Sequence, residues 1–248
     1  MKADLIKALK ERERQFREKS LPYGEHVLRS RSKWERYIEL QNVFHWLGMQ
    51  EGSTVLDVGC ADGRFLEYIY ANLPCCSLYG IDFAYNTLIQ VRQKVACNVV
   101  CADICNLPFK REIFQYVCCI QTFQQIPSQI ERHKALLGIV GAMQQNGIFV
   151  LTVLNQHTWH DSVDNGKEGP LKSSPDLYVY LFNHTDLKTE LEDAGFTVER
   201  IVGINTLPGR FVKQLGLAGA LFDLLITQAL TGLSIRKGTY LLARCIKK

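Results

Sequence analysis

Asp57, Gly59 and Gly63 stand in the run Val55-Leu56-Asp57-Val58-Gly59-Cys60-Ala61-Asp62-Gly63, where an apolar stretch stops at a glycine and helical spacing resumes with Arg64. Such a turn follows the first strand of an open parallel sheet, and its glycines let backbone approach a ligand at the strand's carboxyl end. Two phosphate-binding chemistries fail on spacing. A dinucleotide fingerprint needs glycines where Ala61 and Arg64 stand, and a P-loop needs a Lys followed by Ser or Thr. An acid two residues before the first glycine suits a ligand with a cationic amine better than a pyrophosphate. Two more acids, Asp82 in "LYGIDFA" and Asp103 in "VVCADICNLPF", follow at intervals of 25 and 21 residues, one βα unit each. Taken singly, each reads equally well as a cap of the next helix. A second cluster, "NQHTWHD", brings His157, His160 and Asp161 together. Its imidazoles titrate near neutrality and could take a proton from a hydroxyl acceptor, His160 being preferred for its neighbour Asp161. Imidazole and carboxylate also bind zinc or iron, but no third ligand is placed by sequence, and no metal is expected.

The elements that must position these residues alternate in a consistent order. Apolar runs "TVLDV", "SLYGI", "NVVCA", "FQYVCCI" and "IFVLTVL" are separated by segments with helical spacing, which is a βαβ series and predicts a parallel sheet covered on both faces. After them comes a polar span over residues 155–176, too long for an ordinary connection and expected to be a lid or substrate loop reaching to residue 183. A helix "HTDLKTELEDAG", a strand "FTVERIVG", an apolar helix within 208–234 and a last strand "GTYLLARCI" complete the chain. Residues 1–50 read as a helical extension or cap, and 51–248 as the main domain. The stretch Leu215–Leu233 is long enough to span a bilayer, but Asp223, Thr227 and Thr231 recur every four residues, so we expect an amphipathic helix packed on the domain. Lipid-facing and tunnel-lining roles are the alternatives.

These residues resemble the class I S-adenosylmethionine-dependent methyltransferases, in particular their small-molecule and ubiquinone-biosynthesis types. The first motif of that family reads like V-L-D-x-G-x-G-x-G and stands here with Ala61 at the middle glycine. The resemblance implies a Rossmann-like α/β fold with a seven-stranded, mostly parallel sheet and S-adenosyl-L-methionine as cofactor. It assigns Asp82 to the ribose hydroxyls, Phe83 to packing on adenine, Asp103 to the adenine amino group and the backbone of Ile104 to the ring. Asp57, Gly59, Cys60, Ala61, Gly63, Ala102 and Gln121 complete the expected cofactor contacts, and Tyr23, Gln124, Trp159, Tyr178 and Tyr180 the acceptor side. The fourth motif departs from the family, with Phe114-Gln115 and Gln124-Gln125 where many members resemble F-D-x-V and a histidine pair. Gln124 offers an amide donor and an acceptor but cannot act as a base.

The resemblance implies methyl transfer by in-line displacement to a small, partly apolar metabolite. A transfer-RNA methyltransferase of the wobble-uridine type is the alternative, since "CADICNLPF" and "LYVYLFNHTDLKTELEDAGF" are similar to stretches of that family. A non-catalytic cofactor-binding scaffold is a third reading.

Composition narrows the setting. With 248 residues, 47% hydrophobic and 22% charged, the chain can bury a sizeable core. Its nine cysteines include no C-x-x-C pair and sit largely in apolar runs, which fits a reduced, cytoplasmic interior better than a disulfide framework. The first forty residues are rich in Lys and Arg, read as a solvated helix with i,i+4 pairing, and have no apolar core that would make a signal peptide or anchor. Nucleic acid is therefore the less expected partner.

Overall fold

A computed structural model describes residues 3–19 and 33–248. Two helices, α1 (Ala3–Lys19) and α2 (Lys33–Leu47), precede the alternating series. That series runs β1 (Thr54–Val58), α3 (Arg64–Asn72), β2 (Ser77–Asp82), α4 (Tyr85–Lys94), β3 (Asn98–Cys101), β4 (Phe114–Ile120), α5 (Gln129–Ala142) and β5 (Met143–Leu154). The strands form one seven-stranded sheet of order β3-β2-β1-β4-β5-β9-β8, with β8 (Phe196–Ile204) and β9 (Tyr240–Lys247) at one end. Strands β1 to β5 pair in parallel, and β9 runs antiparallel to both of its neighbours. The strand order reverses at β1 and β4, so the turn after β1 opens at the switch point where α/β sheets bind ligands.

Near-continuous apolar strands make sense because both faces of the sheet are covered. Leu56, Val117 and Phe149 point into one core with Leu136 of α5 and Leu187 of the helix α7 (His184–Asp193). Val55, Cys118 and Val150 point into the other with Leu47 of α2, Leu66 of α3 and Val91 of α4. Helix starts follow local chemistry: Ser128 accepts from the Glu131 N–H at the head of α5, and Asn183 accepts from Asp186 N–H at the head of α7. Between these two helices Arg132 and Glu190 make a buried two-pronged ion pair at 2.7 and 2.9 Å.

The span expected as a lid or substrate loop carries a short helix, α6 (Gln156–Trp159), and an antiparallel hairpin of β6 (Glu168–Leu171) and β7 (Ser174–Tyr180). One expectation is corrected. The single apolar helix expected within 208–234 is three helices: α8 (Gly209–Leu215), α9 (Leu217–Ala229) and α10 (Thr231–Lys237). Gly216, at φ 57° and ψ −128°, breaks the first junction, and α9 and α10 meet at a bend of 118°.

Candidate functional site

The turn after β1 is folded by glycines, as its sequence demands. Gly59 has φ +77°, and a Cβ built there would lie 2.2 Å from Thr122 Oγ1. The backbone of this turn is tied to the sheet: Gly59 and Cys60 N–H donate to Ile81 O, and Ala61 N–H to an Asp82 carboxylate oxygen at 3.0 Å. With those donors engaged inside the protein, the turn is no phosphate cradle, in keeping with the failed fingerprints. Gly63, expected among the cofactor contacts, is also required by packing. At φ +77° it begins α3, and a Cβ there would press on Val91 of α4 at 2.6 Å.

Around the turn open two adjoining cavities that share Gly59, Asp82, Phe83, Thr122 and Gln125 as walls. The second, of about 870 Å³, is walled by Ile81, Ala102, Asp103 and Ile104 on the sheet side and by Ile6 and Lys10 of α1. The first, of about 710 Å³, runs over Asp57, Cys60, Ala61, Gln121 and Gln124 toward Leu154, Trp159 and the inner face of the hairpin.

The acids differ in electrostatics. Asp57 is buried at 2% exposure, and burial pushes its carboxyl up to about 7 although the Cys118 thiol donates to it at 3.4 Å. Asp82 is also raised by burial, while the Ala84 and Ala61 N–H groups it accepts pull the other way. Burial pushes Asp103 up as well, but the Lys10 ammonium at 2.8 Å and the Cys105 N–H outweigh it and hold the carboxyl below its usual range. Glu18, at the far end of α1, accepts from the Tyr85 and Asn86 N–H groups that open α4. Helix α1 is thus fastened on both sides of Asp82 and roofs the second cavity.

The walls test whether S-adenosylmethionine fits. The Asp82 carboxylate accepts from the Ala61 and Ala84 N–H groups and, with up to four acceptor sites, has capacity left for a ribose hydroxyl. Phe83, Ala102 and Ile104 form an apolar slot beside it. Buried Gln124 turns an unpartnered Oε1 acceptor among residues that line the first cavity. These features suit a ligand with an adenosine at one end and a donor-bearing chain at the other.

The acceptor side departs from expectation. Trp159 and Gln124 line the first cavity, but His157 and His160 are exposed and line neither cavity. His160 Nε2 does lie 3.3 Å from Asp161 Oδ1, out in solvent. Tyr178 and Tyr180 are on the wrong face of β7, because side chains alternate along a strand and it is Leu177 and Val179 that face the cavity. Tyr178 instead hydrogen-bonds Glu168, and Tyr180 packs its ring 3.9 Å from the Arg132 guanidinium. Tyr23 lies outside the described residues. Sequence reasoning missed Glu39, a buried α2 carboxylate that lines the first cavity and accepts from Gln121 Nε2 at 2.6 Å and Thr152 Oγ1 at 3.0 Å. Its signal was available, since Glu39 and Asn42 interrupt the buried face formed by Ile38, Val43, Trp46 and Leu47.

Residues 56–151 match the family model described as a methyltransferase domain. Residues 56–151 thus form a methyltransferase domain, on a fold shared with S-adenosylmethionine-dependent methyltransferases of known structure. An S-adenosylmethionine-dependent methyltransferase from Mesorhizobium loti shares the fold at a TM-score of 0.66 and 15% identity, over 85% of this chain and 98% of that one. Another, from Methanosarcina mazei, aligns at a TM-score of 0.60 and 13% identity, over 83% and 96%. A curated relative is 28% identical over 105 residues, the "tRNA (carboxymethyluridine(34)-5-O)-methyltransferase" of Arabidopsis thaliana. That match spans 42% of this chain but only 25% of the relative's length. S-adenosylmethionine is the cofactor expected of such a domain, as its solved neighbours depend on it.

Proposed function

We propose that this methyltransferase acts on a small, partly apolar acceptor held in the first cavity. The observation that carries the reading is the wall opposite Asp57 and Gln124, where Leu40, Leu154, Trp159, Leu171, Leu177 and Val179 converge. The rest of the lining is polar and charged, with Arg36, Arg64, Glu35 and Glu39 among it, so the cavity gives one part of an acceptor an apolar wall and leaves polar groups to orient the remainder. When bound, S-adenosylmethionine supplies a methyl group already activated on a sulfonium, so the protein's task is mainly position and exclusion of water. Asp82, Phe83, Ala102, Asp103 and Ile104 would hold the adenosine, and Asp57 the amine end. Gln121, oriented by Glu39, and Gln124 would direct the acceptor toward the methyl group. The hairpin covers the reacting end, and His157 and His160, both in solvent, take no part. Nine free thiols, with Cys60, Cys118, Cys119 and Cys245 among the buried ones, support a reducing, cytoplasmic setting.

A second reading has one observation in its favour, the partial match to a transfer-RNA methyltransferase. One experiment separates the two. The protein is incubated with methyl-tritiated S-adenosylmethionine and either the solvent-extractable metabolites of a cell lysate or its purified transfer RNA. Label in extractable small molecules supports the proposal, whereas label in RNA that depends on salt overturns it.

A further inference from the structure

Helix α9 is amphipathic in the opposite sense from a helix packed on a soluble domain. Its polar stripe faces inward. Asp223 is fully buried and accepts from the Thr206 and Leu207 N–H groups in the loop after β8, and Thr227, also fully buried, donates to Gly203 O. Helix α10 is pinned next to it, where Ser234 Oγ accepts from Gly203 N–H. At that crossing the backbones touch, since a Cβ on Gly203 would fall 1.8 Å from Ser234 O.

The polar anchors turn the apolar face outward. Leu221, Phe222 and Leu225 of α9 are 50%, 55% and 61% exposed, and Phe211, Leu215 and Leu233 of the flanking helices are exposed beside them. Elsewhere among the described residues large exposed hydrophobics are no more than two to a helix, Tyr85 and Ile89 on α4 and Ile130 and Leu137 on α5. The patch is rimmed by cations: Arg210, Lys213, Arg236 and Lys237 are all exposed, and Asp223, the lone acid between residues 209 and 237, is buried against the domain. No single helix among the described residues is long and apolar enough to cross a membrane, and the 118° bend folds α10 back on α9. An apolar face bordered by Lys and Arg, on short helices held to the surface, is the chemistry of interfacial binding.

We propose that the surface formed by α8, α9 and α10 docks on a lipid bilayer bearing anionic headgroups. Leu221, Phe222 and Leu225 enter the acyl boundary while Arg210, Lys213, Arg236 and Lys237 meet the headgroup charge. This surface is built on the reverse side of an active-site wall. Ile38 of α2 packs against Val212 and Ala220, while Leu40 of the same helix lines the first cavity. Docking therefore fixes the cavity's position relative to the bilayer, whichever acceptor it takes.

The test is co-sedimentation of the full chain with phosphatidylcholine vesicles, with and without about a third phosphatidylglycerol. Wild-type protein is expected to partition to the anionic vesicles and to lose that binding at high salt. A triple variant Leu221→Ser, Phe222→Ser, Leu225→Ser should lose binding at least about tenfold. Replacing Arg210, Lys213, Arg236 and Lys237 by Gln should remove the preference for anionic vesicles. Circular dichroism and S-adenosylhomocysteine affinity should be unchanged in both variants, since the replaced side chains are exposed and outside the cofactor site. Absence of partition to either vesicle, or partition that both variants retain, overturns the proposal. A concentration-dependent dimer in light scattering that Leu225→Glu abolishes, with no vesicle binding, would assign the face to a second copy instead.

Discussion

The Lys10 ammonium lies 2.8 Å from the Asp103 carboxylate and 2.6 Å from that of Glu131, so the N-terminal helix reaches across to the end of β3 and roofs the cavity assigned to adenine. Lys10 and both acids are partly exposed, which limits the stabilisation to about 0–1 kcal/mol. Asp103 and Glu131 are both held below their usual range, so the stabilisation is present above about pH 4 and is lost as pH falls through their folded values. Lys10→Met should therefore lower the melting temperature slightly at pH 7 and progressively less as pH falls below about 4. Thermal scans across that range, repeated at high salt, check both the sign and the screening.

Asp57 has the opposite sign. Its carboxyl is raised to about 7, so the folded state without ligand favours the protonated form and loses stability as pH rises from about 4 to about 7. Buried Glu13, raised to about 7 by the same burial, adds a second contribution in that window. A ligand ammonium beside Asp57 favours the ionised form, so affinity for S-adenosylhomocysteine should rise as pH passes 7. Asp57→Asn should stabilise the free protein at pH 8, flatten the pH dependence of binding, and weaken binding by about 1.5–3 kcal/mol. Calorimetry on the two proteins at pH 6, 7 and 8 decides it.

Asp82→Ala should weaken cofactor binding by about 1–3 kcal/mol through lost hydrogen bonds to the ribose. The same substitution also leaves the Ala61 and Ala84 N–H groups without their acceptor, so a fall in thermal stability should accompany it. Unchanged affinity would remove Asp82 from the cofactor site.

Gly59→Ala meets two obstacles, a positive φ and the Thr122 side chain at 2.2 Å. The backbone conformation alone costs about 1–2 kcal/mol, and the overlap adds to it. Combining it with Thr122→Ala should recover the steric part and leave the conformational part, which a double-mutant cycle of unfolding free energies measures.

His157→Gln and His160→Gln should each keep turnover within about threefold of wild type, far short of the 10²–10⁴-fold loss expected of a general base. Both side chains stand in solvent outside the cavities. Initial rates across pH with the true acceptor check this, and a loss of a hundredfold in either variant would return a histidine to the mechanism.

What the sequence determined by itself is the turn after β1 and the acids at the strand ends. The Gly59 turn and the acids Asp57, Asp82 and Asp103 each belong to a strand, turn and helix contiguous in the chain, so period, glycine placement and spacing locate them without any distant contact. The same locality let the apolar runs name the strands of the sheet. Only the tertiary structure decided the acceptor end and the outer surface. Which face of β7 meets the cavity depends on how the hairpin packs against α1 and the sheet, and a shift of one residue exchanges Leu177 and Val179 for Tyr178 and Tyr180. Glu39 reaches Gln121 and Thr152 from 82 and 113 residues away. The period-four stripe of Asp223 and Thr227 marked a helix face, but it took the donors at Thr206 and Leu207 to turn that polar face inward and leave the leucines outside. Periodicity defines a face, and only the partners brought by the fold choose its direction.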